Sequence, residues 1–179
     1  MSLIHALPRV RSADTDESDP GRSDRPGSRL LARSALRGTV GGLIATLVMT
    51  LYRAPVFRTL PPTAEVWAKY VAGGEAEDHQ GVGLLLHLLY GTVAGALFGP
   101  VFHSLDGRTP LSRDHLGAAG GLAFGLLLSA FGSRVLMPYV AGTALDDDER
   151  LVFHVGHVVY GLTLGTWVAT RRRMGEVYD

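Results

Sequence analysis

Four long stretches of the chain carry almost no charge, and polar runs separate them. They lie at about residues 36–52, 81–105, 115–139 and 151–170. A hydrocarbon core about 30 Å thick is crossed by about 20 apolar helical residues, each rising about 1.5 Å. The last three stretches reach that length. The first, bounded by Arg37 and Arg53, falls short unless arginine stems snorkel or the helix continues through Ala54-Pro55-Val56-Phe57. The pattern predicts an all-α fold, an integral membrane bundle of four transmembrane helices occupying residues 34–173.

Glycine spacing sharpens that expectation. Gly38, Gly42, Thr46 and Thr50 recur every fourth residue in the first stretch, and Gly117, Gly121, Gly125 and Ser129 repeat the arrangement in the third. The second contains His87-Leu-Leu-Tyr90-Gly91-Thr-Val-Ala-Gly95, followed by Gly99. Seventy positions on, the fourth contains His157-Val-Val-Tyr160-Gly161-Leu-Thr-Leu-Gly165. Residues four apart share a helix face, and a face of small residues lets two backbones approach closely in lipid. The chain reads as two parallel two-helix repeats, at about 36–105 and 115–170, packed through these faces.

The connections read differently from the spans. Residues 1–33 carry few apolar side chains, so they are expected to form a disordered cytoplasmic tail with a solubilising role. Leu60-Pro61-Pro62-Thr63 ends the first helix. Thr63 then suits the N-cap of a short surface helix over 63–72, with Val66, Trp67, Tyr70 and Val71 on one side and Gly73 and Gly74 as its stop. Its aromatic residues suit the headgroup layer. Asp106 to Asp114 is a tight polar connection, 146–149 an acidic outer loop, and 174–179 a second cytoplasmic tail.

Charge refines the picture only a little. Seventeen basic and seventeen acidic residues balance to a formal net charge of zero, which points to no nucleic-acid partner. Without cysteine there is no disulfide framework and no thiolate metal site. Basic residues near the segment ends favour a multi-pass protein of the cytoplasmic membrane with both termini inside. That places Arg29, Arg33, Arg37, Arg108, Arg113 and Arg171-Arg172-Arg173 in the cytoplasm, and leaves Arg53, Arg58, Lys69, Arg134 and Arg150 outside.

The candidate polar centre comprises His87, Tyr90, His154, His157, Tyr160, Arg53 and Arg134. Imidazoles within a membrane suit ligation, proton relay or hydrogen bonding between helices. Two histidines on opposing helices could ligate one haem b iron, the sharpest alternative. A metal held by His87, His154 and His157 would lack any carboxylate from the segments, so no metal site is expected. His87, His157, Arg53 and Arg134 could instead line a cleft for protons or a small solute, the protein then acting as a homo-oligomer. In the plainest reading each His and Tyr bonds a neighbouring helix and sets register, with no cofactor. His103 and His115 at segment ends, and His5 and His79 in loops, need no special role. No phosphate loop, nucleophile elbow or zinc-protease helix is present, and the chain is not expected to be an enzyme.

Gly117-Ala-Ala-Gly120-Gly121, then Val135-Leu-Met-Pro138 with a short polar loop, then Phe153-His154-Val-Gly156-His157-Val-Val-Tyr160 form an ordered set of motifs. With Leu60-Pro61-Pro62, this order resembles the YagU-like family of small bacterial inner-membrane proteins, mainly over the second half of the chain. The resemblance implies a multi-span inner-membrane protein of poorly defined role, connected with survival in acid, and supplies no catalytic residue. The function expected is therefore structural, permeability-related or stress-related, with the lipid bilayer as the main partner.

Overall fold

Glycine lies inside this molecule and leucine outside it, the reverse of a water-soluble core. Leu51, Leu85, Leu97, Leu127 and Tyr139 are each more than three-fifths exposed, whereas Gly38, Gly42, Gly91, Gly95, Gly121 and Gly165 are buried. Such an apolar exterior is at home in lipid and a liability in water. The computed structural model describes residues 26–53 and 62–170, which contain helices and no strand. Four of the helices are long and apolar enough to cross a membrane.

Helix α1 spans Pro26–Arg53, α2 Thr63–Trp67, α3 Gln80–Leu105, α4 Arg113–Phe131 and α5 Asp147–Ala169. Proline suits the first turn of α1, where its missing N–H has no intrahelical acceptor anyway. The helix thus starts well before residue 34, and 26–33 are helical rather than part of a disordered tail. Two added turns lengthen the first span to Gly27–Arg53, which resolves its apparent shortness. The expected tails at 1–25 and 174–179, the continuation through residues 54–57, and the 171–173 triplet lie outside the described residues, as does His5.

Helix α1 packs against α3 and α5, and α4 packs against α5, while α3 and α4 touch little. The order across the bundle is therefore α3, α1, α5, α4. Within the first pair, Gly38 faces Gly95 and Gly99, and Gly42 faces Gly91 and Gly95. Within the second, Gly117 faces Gly165, Gly121 faces Gly161 and Gly165, and Gly125 faces Gly161 and the His157 carbonyl. A Cβ at Gly91 would collide with the Thr46 side chain, and one at any of the others with backbone of the facing helix. Backbones this close gain dispersion along the whole seam, the main attraction open to helices in lipid.

Two glycines outside these stripes matter as well. Gly41 lies against Trp167 and Leu164 of α5, and Gly156 of α5 lies against Met49 of α1. The Gly41-Gly42 doublet thus serves two faces of α1, one toward each neighbour. Around this central contact Ala45, Met49, Tyr160, Leu164 and Val168 form the apolar core, while Phe98 and Phe124, 5.2 Å apart between ring centres, join α3 to α4.

One end of the bundle is capped and the other open. At the capped end, α2 lies over α3. Thr63 does not cap α2 as its position suggests; its hydroxyl donates instead to the Gly83 carbonyl at 2.5 Å. Ala64 seats on Gly83, and Ala64 and Ala68 are the buried residues here, so Tyr70 and Val71 stay exposed. A π-helical turn, Ala68–Ala72, follows α2 and Gly73 ends it at φ 71°, a left-handed value that suits glycine. A short 3₁₀ turn, Ala76–His79, where a loop was expected, leads into α3.

Beyond Phe131 the third span continues as a π-helix, Gly132–Ala141, longer than its expected end at about residue 139. Pro138 within it has no N–H to donate to an earlier turn, and the wider winding accommodates the missing bond. Asp146 and Glu149 form a reciprocal capping box that starts α5. At the open end, Arg113 donates to the Ala169 and Val168 carbonyls and pairs with Asp106, and Arg37 Nη2 donates to the Trp167 carbonyl at 3.1 Å. Two arginines thus satisfy the last carbonyls of α5, where positive charge also complements the helix dipole.

Candidate functional site

Because α3 and α4 barely touch above the Phe98–Phe124 contact, a space opens between them at the capped end. It is a cavity of about 240 Å³, walled by Met49, Val66, Leu128, Leu136, Met137, Val140 and Phe153, with Arg53, His87, Tyr90 and His157 as its charged and polar members. Each comes from a different structural cause. Arg53 is the last residue of α1. His87 and Tyr90 lie two to three turns into α3, His157 lies at the matching depth of α5, and the π-helix turns Leu136, Met137 and Val140 inward. Pro62, Thr63 and Val66 roof the space.

Hydrogen bonds pin the roof to the far wall. Tyr70 Oη donates to the Val140 carbonyl at 3.0 Å and Lys69 Nζ to the same oxygen at 3.2 Å. Thr143 donates to Glu65. Below, the space narrows to about 10 Å³ between Thr46, Gly91, His157 and Tyr160, room for about one water. Tyr160 Oη donates to the Gly91 carbonyl at 2.7 Å across this floor.

The structure divides the seven candidate polar residues. Arg53, His87, Tyr90 and His157 share the cavity, and Tyr160 forms its floor. His154 points elsewhere: its Nδ1 lies 2.5 Å from Ser129 Oγ, on α4. Arg134 sits on the exposed side of the π-helix, away from the cavity, and so does not join Arg53 as expected. Three residues round a helix is not one full turn, which is enough to turn His154 from the cavity that His157 enters. The Leu136, Met137 and Val140 wall was not legible in advance, because a π-helix rotates side chains away from the positions that α-helical spacing assigns.

The chemistry of the cavity is uneven. His157 Nδ1 carries a hydrogen and donates to the Phe153 carbonyl of its own helix at 2.8 Å, leaving Nε2 as the other ring nitrogen. Phe153 also packs against that ring, with centres 4.4 Å apart and planes tilted by 42°. Arg53 makes no ion pair with a described residue, and its Nε is buried without a hydrogen-bond partner. Glu149, occupied in the capping box, is the acid whose charge reaches it. Among the described residues no carboxylate lines the cavity, and no three His, Cys, Asp or Glu side chains are grouped to hold a metal ion. His103 and His115 are exposed, and His79 bonds the Gly73 carbonyl.

No protein-family model, curated protein or solved structure matches this chain.

Proposed function

We propose that this chain is a non-enzymatic, multi-pass protein of the cytoplasmic membrane that takes up a small anion with an apolar body in the capped cavity. The observation that carries the reading is Arg53, a cation without an ion-pair partner among the described residues, on the wall of a largely apolar, roofed space. A charge removed from water is costly unless something pairs with it. An anionic group at Arg53, with His87 and Tyr90 as further polar contacts, would supply the pair, while Met49, Leu136 and Phe153 would hold an apolar tail. A volume of about 240 Å³ equals that of about eight liquid waters. It lies below the roughly 300–1,000 Å³ of common ligand and cofactor pockets, so a small solute suits it better than haem b.

The basic residues at the open end, Arg29, Arg33, Arg37, Arg108 and Arg113 followed by the 171–173 triplet, support a cytoplasmic position for that end, with the cavity facing outward. The matching register of the two glycine seams supports an origin as two copies of one helix pair. Conduction through a single chain is disfavoured by the closed floor at Tyr160 and Gly91, so a permeability role would act by binding solute or through a path between copies in a homo-oligomer. A role in acid survival, implied by the YagU-like resemblance, is compatible with uptake of a weak-acid anion.

The test uses the purified protein in detergent with three probes of equal length: hexanoate, hexanol and hexylamine. Hexanoate is expected to raise the melting temperature, hexanol to raise it less and hexylamine not at all, and Arg53→Gln should remove the hexanoate effect. At a hundred times its dissociation constant, a ligand stabilises by about 2.7 kcal/mol. Equal shifts with hexanoate and hexylamine, or none with any probe, would rule the reading out.

A further inference from the structure

At the open end, far from the cavity, a groove of about 480 Å³ runs between α1 and α5, lined by Arg33, Leu36, Arg37, Val40, Trp167 and Thr170. Its charge is one-sided. Arg33 and Arg37 lie four residues apart and so project from one face of α1. Arg33 is exposed and makes no hydrogen bond or ion pair with a described residue. Arg37 spends Nη2 on the Trp167 carbonyl, and its Nε is buried without a partner. Among the described residues no acid answers them from either wall. Helix α1 has no acidic residue, and those of α5 all lie near its start, at the capped end. Asp106, in the α3–α4 connection, is taken by Arg113. Beyond Thr170 the chain adds three more arginines, 171 to 173.

The remaining walls are apolar. Leu36 is 65% exposed and Val40 41%, and with Trp167 they continue the groove toward the middle of the bilayer. A basic rim above an apolar trough, with an indole at the level of the interface, matches an acidic headgroup and its chain together. A free phosphate would use the rim and leave the trough empty.

We propose that this groove holds an anionic phospholipid, with its phosphate at Arg33 and Arg37 and an acyl chain against Leu36, Val40 and Trp167. The site is independent of the capped cavity and of its ligand. Its effect is to clamp α1 to α5, the central contact of the bundle, whenever acidic lipid is present.

Trp167 supplies the reporter, because the chain has two tryptophans and the other, Trp67, lies at the capped end. A Trp67→Phe protein is reconstituted in phosphatidylcholine vesicles containing a small fraction of lipid with brominated chains. Brominated phosphatidylglycerol should quench Trp167 several-fold more than the same fraction of brominated phosphatidylcholine. Each arginine near an anionic surface contributes about a five-fold preference, so Arg33→Gln should lower the ratio by about that factor. Arg37 is left intact because it also caps α5. Equal quenching by the two lipids would overturn the proposal, as would a preference untouched by Arg33→Gln. Loss of the preference on adding millimolar inorganic phosphate would assign the site to a soluble anion and overturn the lipid.

Discussion

The two glycine-packed pairs, α1 with α3 and α4 with α5, share a register but occupy different places. Gly42 meets Gly91 as Gly121 meets Gly161. Yet α5 lies between α4 and α1, whereas α3 has one close neighbour among the long helices. The consequence falls on the matched tyrosines. Tyr160 is 3% exposed with its hydroxyl on the Gly91 carbonyl, and Tyr90 is 36% exposed and lines the cavity. The matched histidines differ less: both line the cavity, His157 buried against Phe153 and His87 half-buried. The same local motif is a strut at the centre of the bundle and a site at its edge. Position, not composition, assigns the role.

The comparison breaks most severely at the seams. Gly95→Leu and Gly165→Leu should each abolish the folded bundle, because the new side chain meets facing backbone that cannot yield. Denaturation in mixed micelles should show no cooperative transition for either. If one of them folds normally, the two seams are not equivalent. His87→Gln should stay folded, since His87 touches a cavity rather than a seam.

Tyrosine swaps sharpen the contrast at a smaller scale. Tyr160→Phe leaves the Gly91 carbonyl without that partner and should cost about 1–2 kcal/mol, while Tyr90→Phe should change stability by less than about 0.5 kcal/mol. Equal losses would mean that Tyr90 is as structural as its counterpart. Ser129→Ala should cost about 0.6 kcal/mol, the average for a hydrogen bond between helices in a membrane, by releasing His154. Thr50→Ala, at the matching place in α1, should cost less, because its hydroxyl bonds only the Thr46 carbonyl of its own helix. The smallest expected signal is optical. Reduced-minus-oxidised spectra of protein expressed with ample haem should be flat, and a Soret band lost in His87→Ala and His157→Ala would replace the small-anion reading with a haem one.

Much of this organisation was legible in the chain. Glycine and small-residue spacing named both seams and, through them, which helices pair, because helical period converts a fourfold repeat directly into a face. Charge-free length separated the spans, since the cost of a charge in hydrocarbon is felt at every position. Local signals erred where a residue had a tertiary use: Thr63 looks like a cap but bonds Gly83, and residues 26–33 look like tail but extend α1.

The linear order of residues therefore determined the spans, the faces and the partners within each pair. It left open how the pairs sit together, because that depends on the side-by-side fit of Gly41, Gly156 and Met49 at the α1–α5 contact, whose partners are over a hundred residues apart. Only the tertiary structure decided that α3 and α4 splay, that a π-helix carries Leu136 and Met137 inward, and that Arg53 shares a cavity with His87 and His157 while Arg134 faces out. The splay turns on steric fit between distant backbones and the π-helix on the missing N–H of Pro138, and no α-helical periodicity encodes either.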